Sequence, residues 1–289
     1  MKGNIIPVLF FTLIASLLPE IVVREFLGGM QYWVPFTQIA ILSWASLYLH
    51  YLNRHQLSKY TTILTAVVVL QFLAGVIQKT PWWRNTFVAD TFAGDFGGSV
   101  LLKLISVLPV IALLIYLYQS HEEVYLARGD LSITAERIGW LGIEEDRITW
   151  GRLAVISAIL ISFGTLLLTI FTVTGLSAPD RLRDLPVNFP LVVILALVNS
   201  FSEGIVYRSA ILGPLRTVLS KEHVLLIAAL FFGIGHYYGA PSGIVGVSMS
   251  MVLGWYLCRS IYETKGFASA WMIHFIQDVV IFSTIIILM

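Results

Sequence analysis

Long apolar stretches separated by short polar ones dominate the chain. A run of about 17–25 apolar residues, coiled as a helix, crosses a hydrocarbon core of ~30 Å. Nine segments fit this description: 4–22, 33–52, 60–78, 99–118, 151–175, 188–212, 223–240, 242–260 and 268–288. The apolar positions run continuously and do not alternate, which predicts helices apolar all round, as lipid-facing spans are. The expected fold class is all-α, a polytopic transmembrane helix bundle of about eight to nine spans. The first segment is the weakest, because Pro19 and Glu20 interrupt it. Lys2 followed by an apolar run also fits a secretory leader, but no A-x-A-like site follows, so an uncleaved first span is expected.

Composition strengthens this picture. Hydrophobic residues make up 57% of the 289-residue chain and charged residues 12%, too few to cover the surface of a soluble fold of this size. A net charge of +1 offers no field for a polyanion, so no nucleic-acid partner is expected; the lipid bilayer is the first partner. Cys258 is the single cysteine, which excludes an internal disulfide and a cysteine-rich metal site. Loop lysines and arginines divide unevenly. Lys2, Arg54, Lys59, Arg128, Arg137, Arg147, Arg216, Lys221, Arg259 and Lys265 fall on the amino-terminal side, against Arg24, Lys79, Arg84, Arg181 and Arg183 on the other. This bias predicts a cytoplasmic N-terminus and, with nine spans, a C-terminus outside. Trp33, Trp82, Trp83, Trp150 and Tyr237 lie near span ends, where amphipathic rings favour the headgroup layer. The longest polar stretch, 119–150, includes the mixed segment Ile138–Ile148 with Glu144, Glu145 and Asp146; an interfacial helix with a solvated acidic face is expected there. Two regions follow: N-terminal helices over 1–187, with the cytoplasmic loop 119–150, and a helix core over 188–289.

Polar side chains concentrate in that core. The sixth segment contains Asn199-Ser200-Phe201-Ser202-Glu203-Gly204 and, further on, Arg208; the seventh contains Phe231-Phe232-Gly233-Ile234-Gly235-His236. The ninth contains His274-Phe275-Ile276-Gln277-Asp278. Ionisable groups inside a membrane cost at least ~2.5–3.5 kcal/mol on insertion scales and are functional candidates by default. Counted from the cytoplasmic ends, Glu203, His236, His274 and Asp278 lie roughly 9–20 Å deep, so one cavity can hold all four. His274 and Asp278 are i and i+4 on one helix face. Gly233 and Gly235 allow close helix approach beside His236. Lys103 and the remaining histidines, His50, His55, His121 and His223, carry less signal: the lysine is expected to snorkel to the headgroups and the histidines to be solvated.

Two imidazoles and two carboxylates suit few chemistries. A carboxylate and a histidine can activate water while further donors hold an oxyanion. His236, His274 and a carboxylate can hold zinc, although the H-E-x-x-H helix is absent. Buried Glu and His also relay protons in transporters, and any one of them can simply bond a neighbouring helix. The residues by themselves leave these readings open.

The three segments resemble the CPBP family, the CAAX proteases and bacteriocin-processing enzymes also called glutamic-type intramembrane endopeptidases. The family pattern is E-E-x-x-x-R, F-x-x-x-H and H-x-x-x-N or H-x-x-x-D on successive membrane helices. Glu203 and Arg208 match the first element, Phe232 and His236 the second, His274 and Asp278 the third. The resemblance covers roughly 188–288 and implies an intramembrane endopeptidase without a cofactor, acting on a membrane protein or membrane-anchored peptide in a bacterial plasma membrane. It also implies Glu203 and His236 as the water-activating pair and His274 with Asp278 as the oxyanion side, with Arg208 in support. Two departures stand out. Gly204 replaces the second Glu, so Arg208 loses its i−4 partner and is expected to find Asp278 or a backbone carbonyl. Asp278 stands where many relatives have Asn; an ionised Asp only accepts hydrogen bonds, so it orients His274 and leaves that imidazole as the donor. The family includes immunity proteins and scaffolds without demonstrated proteolysis, which gives a non-catalytic alternative.

Overall fold

The computed structural model describes residues 4–29, 32–87, 91–172 and 181–288. Its helices are α1 (Ile5–Ala15), α2 (Leu18–Leu27), α3 (Trp33–Tyr51), α4 (His55–Gln78), α5 (Pro81–Thr86), α6 (Gly98–Tyr118), α7 (Trp150–Thr172), α8 (Asp184–Gly204), α9 (Ala210–Leu215), α10 (Lys221–Gly235), α11 (Gly243–Thr264) and α12 (Ala268–Leu288). A π-helical turn, Ile205–Ser209, joins α8 to α9 so that one long span runs over Asp184–Leu215. The protein is an all-helical, polytopic membrane protein; among the described residues six helices are long and apolar enough to cross a bilayer, or up to seven if the bent pair α1–α2 counts as one.

All nine expected segments are helical within the described residues, but fewer qualify as spans. α1 and α2 are bent by 58°. Pro19 sits in the first turn of α2, where it starts a helix but cannot continue the one before. The break exposes the last carbonyls of α1, and Gln38 of α3 covers them: its Nε2 donates to the oxygens of Ile14 at 2.7 Å and Ser16 at 3.0 Å. α3 has the length of a span, but Thr37, Gln38, Ser43, Ser46 and His50 dilute its hydropathy. Two of those residues face inward, Gln38 as above and Ser46, whose Oγ lies 2.6 Å from Thr62 Oγ1 of α4. α10 has 15 residues, about 22 Å of rise and short of a full crossing. The apolar run does continue past it, but the chain turns at once: Gly239 N–H donates to the His236 carbonyl, and Gly243 N–H to that of Tyr237. Without nine spans, the step from charge bias to an external C-terminus no longer follows; Lys2 and the end of the 151–175 segment lie outside the described residues.

The loop after α6 also differs from expectation. No interfacial helix forms over Ile138–Ile148; the segment folds through isolated bridges, Thr134 with Thr149 and Ile138 with Ile143, around a short 3-10 turn at Gly139–Leu141. Gly142 at φ 68° and Asp146 at φ 58° take left-handed backbone that a helix does not contain. Asp146 accepts from Thr134 Oγ1, and the adjacent Thr149–Trp150 backbone leads into α7. The loop is docked, not floating. Gly129, at φ +82°, packs backbone to backbone on Gly266 where a Cβ would collide, and Phe267 N–H donates to the Ala127 carbonyl at 2.8 Å. Trp150, expected in the headgroup layer, is fully buried and donates from Nε1 to Glu263 at 2.8 Å; Trp83 is buried as well.

Candidate active site

Three long helices and the π turn bring the polar residues together. α8 carries Asn199 and Glu203, the π turn carries Tyr207 and Arg208, α12 carries His274 and Asp278, and α6 carries Lys103. α12 packs along α8 with Trp271 Nε1 donating to the Leu197 carbonyl at 3.2 Å, which holds the two helices in register. Glu203 Oε2 lies 3.7 Å from His274 Nε2, and Asp278 Oδ1 lies 3.5 Å from the same nitrogen. Arg208 approaches the other side of the ring, both terminal nitrogens 3.4 Å from His274 Nδ1. A guanidinium only donates, so Nδ1 must be the acceptor and Nε2 carries the hydrogen, pointed toward the two carboxylates.

The π turn is what sets Arg208 against this ring. An extra residue in the turn shifts the register of everything after it, so Glu203 and Arg208 flank opposite nitrogens of one imidazole. The expected partners of Arg208 are not the ones it has. Neither Asp278 nor a backbone carbonyl bonds it among the described residues; His274 and the face of Phe232, 4.8 Å from Arg208 Cζ, take that place, and Arg208 Nε is unpaired and buried. In a site with two carboxylates nearby, stacking on an aromatic face limits the desolvation cost of a buried guanidinium.

His236 stands slightly apart. It caps α10, and its Nδ1 donates to the Phe232 carbonyl at 2.8 Å, which leaves the Nε2 lone pair free to accept a proton. It makes no ion pair with Glu203, His274 or Asp278 among the described residues. Phe232 lies between: its ring centroid is 4.3 Å from that of His236 and 5.9 Å from that of His274. The motif phenylalanine is thus the common wall of both histidines and of Arg208. Gly235 lets Tyr207 reach the same region, since a Cβ there would meet the tyrosine hydroxyl at 2.8 Å.

Gly204 has a local cause. A Cβ at this position would run into the ring of Phe267, which packs edge-on against Phe201 and is buried. The space of the missing second Glu is filled by an aromatic side chain.

Lys103 departs from expectation. Its Nζ does not turn toward the headgroups; it donates to Asn199 Oδ1 at 2.6 Å and to Glu203 Oε1 at 2.7 Å. Asn199 in turn donates from Nδ2 to Asp278 Oδ2 at 3.0 Å. Neither residue was singled out as part of the site from the sequence, although a lysine within an apolar run meets the same criterion that marked Glu203. His50, His55, His121 and His223 are exposed and distant in role. Among the described residues no group of three His, Cys, Asp or Glu is placed to hold a metal ion. The ammonium on Glu203 Oε1 and the guanidinium on His274 Nδ1 set two cations beside these groups and would repel a dication there, which disfavours the His236–His274–carboxylate zinc arrangement.

No curated protein and no solved structure matches the chain. Among protein-family models, that of the Rce1-like family, described as type II CAAX prenyl endopeptidase Rce1-like, matches residues 185–280, about a third of the chain. The matched segment contains Asn199, Glu203, Arg208, Phe232, His236, His274 and Asp278 and leaves out Lys103. Residues 185–280 are therefore an Rce1-like domain of the CAAX protease family, as the three motif elements led one to expect.

Proposed function

We propose that the protein is an intramembrane endopeptidase that hydrolyses a peptide bond of a membrane protein or membrane-anchored peptide. The observation that carries this reading is the meeting of Glu203, His274 and Asp278 from two helices at one imidazole, inside a domain of a family that is mostly peptidases. Glu203 accepts a proton from water through Oε2; the hydroxide adds to the scissile carbonyl carbon. His274 Nε2–H stabilises the resulting oxyanion, with Asp278 orienting the ring and Arg208 fixing its tautomer. As the C–N bond breaks, the proton held by Glu203, or shared with His236 Nε2, passes to the departing amine. On this reading the lysine- and arginine-rich loops, 119–149 among them, face the cytoplasm, in keeping with a bacterial plasma membrane.

Replacing Glu203 by Gln keeps shape and removes the base. Membranes from cells carrying the intact protein should contain protein C-termini that are absent, or reduced about 10²–10⁴-fold, in cells carrying the variant. Identical termini in both would reject the assignment. One observation favours a second, non-catalytic reading as an immunity or scaffold protein: Lys103 already occupies one oxygen of Glu203. Under that reading the cellular phenotype survives Glu203→Gln.

A further inference from the structure

We infer that Lys103, from a helix outside the family-matched segment, is a positioning residue of this site: it closes a ring of side chains that fixes which oxygen of Glu203 is free to act. This rests on the peptidase reading above and extends it to α6.

The ring can be followed atom by atom. Lys103 Nζ bonds Glu203 Oε1 at 2.7 Å; Glu203 Oε2 faces His274 Nε2 at 3.7 Å; Asp278 Oδ1 is 3.5 Å from that nitrogen. Asp278 Oδ2 accepts from Asn199 at 3.0 Å, and Asn199 Oδ1 accepts from Lys103 at 2.6 Å. Three helices close one circuit. Donor and acceptor directions around it are mutually determined. An ammonium only donates, so the oxygen of Asn199 must face Lys103, and its NH₂ must then face Asp278. That NH₂ needs an acceptor, which an aspartate at 278 supplies with either oxygen and an asparagine only in one of its two flip states. The aspartate at 278 and the lysine at 103 thus fit each other through Asn199.

The charges fit as well. Two carboxylates this close to one imidazole repel each other, and the groups that offset them are Lys103 on Glu203 and Arg208 beyond His274, with His236 within electrostatic reach of both Glu203 and His274. Arg208 is held off by the ring it contacts. Lys103 is the cation in direct contact with Glu203, and it takes Oε1 alone. Oε2, on the histidine side, is left as the oxygen that can receive a proton.

The test uses the full-length protein in lipid nanodiscs and needs no substrate. Infrared spectra at neutral pH are recorded for the intact chain and for Glu203→Gln, and subtracted. With Lys103 present, the Glu203 contribution should be that of an ionised carboxylate; in the Lys103→Met background the same subtraction should show a protonated carboxyl stretch. A protonated band already present beside Lys103, or no change in the Met background, would overturn the inference. A protonated band in the first subtraction overturns the inference even if Lys103→Met does not fold. In cells, Lys103→Met should lower the yield of Glu203-dependent termini about tenfold or more, as misplacement of a reacting group does, and Lys103→Arg should recover part of it. Full processing by Lys103→Met overturns the role. Should Glu203→Gln leave every terminus in place, the peptidase reading fails, while the infrared result still decides the ion pair.

Discussion

At the scale of single residues, the most informative position is one without a side chain. Gly204 departs from the family pattern, and the reason lies across the helix boundary in Phe267. Restoring the Glu by Gly204→Glu should therefore not raise the yield of Glu203-dependent termini. It should lower stability by about 1–3 kcal/mol, the usual cost of overfilling a packed site, seen as a lower melting temperature in detergent. Pairing it with Phe267→Ala should cost less than the sum of the two single changes, since the smaller side chain makes room for the carboxylate; an unchanged melting temperature for Gly204→Glu alone would show that the ring yields freely. Asp278 allows a graded test. Asp278→Asn keeps an acceptor for Asn199 and should retain more processing than Asp278→Ala, which leaves a buried amide unpaired. Equal activity of the two variants would mean that the carboxylate's contacts to Asn199 and His274 do no work. Lys103 shows the limit of reading residues one at a time. A lysine near a span end looks the same in the sequence whether its ammonium turns outward to headgroups or inward to a carboxylate 100 positions away. What separates the two is the partner on another helix, Glu203 with Asn199.

At the scale of elements, helix positions were legible because a membrane leaves few alternatives for backbone polar groups. Helix ends were less so. The seventh apolar segment was read to Ala240, yet α10 stops at Gly235, because aromatic and small residues such as Tyr237, Tyr238 and Gly239 satisfy a hydropathy pattern and a turn equally well. The π turn at Ile205–Ser209 leaves no periodic trace either, although it decides where Arg208 points. The stretch 119–150 differs for another reason: Ile138–Ile148 mixes apolar residues with Glu144, Glu145 and Asp146, a composition that an interfacial helix shares with a docked loop, while Gly139, Gly142 and the docking partners in α11 dictate bridges and turns. Glu263 is the chief anchor of that docking. It accepts from Trp150 Nε1, from the Glu136 backbone at 3.1 Å, from Lys221 at 2.8 Å and from Arg259 at 2.7 Å. Glu263→Ala removes the shared acceptor of these four donors, two of which are the cations Lys221 and Arg259. It should destabilise the protein by about 3–5 kcal/mol and open the loop to limited proteolysis, without the selective loss of termini that marks Glu203→Gln. A loop as protease-resistant as in the intact protein would contradict this account of its docking.

At the scale of the whole molecule, the Rce1-like domain supplies the motif residues but not the complete site. α6 reaches in with Lys103, and the first four helices form a cavity of about 450 Å³ whose wall includes Tyr207, Phe231 and Gly235 beside His236. The N-terminal helices are thus packed against the candidate site, a relationship that no local spacing displays. Depth allows one cavity for Glu203, His236, His274 and Asp278, and the i, i+4 spacing puts His274 and Asp278 on one face; the offset of His236 behind Phe232 is not legible, since depth says nothing of direction around the bundle.

The central claim, that Glu203 directs water onto a peptide carbonyl within the membrane, is tested most directly by following the oxygen. Purified protein in nanodiscs is incubated with a membrane-protein fraction in heavy-oxygen water, and the new C-terminal carboxyl groups are analysed by mass spectrometry. The account predicts one solvent oxygen in each new carboxyl group with the intact protein and no such products with Glu203→Gln. Labelled products formed at the same rate by the Gln variant, or products that carry no solvent oxygen, would contradict it.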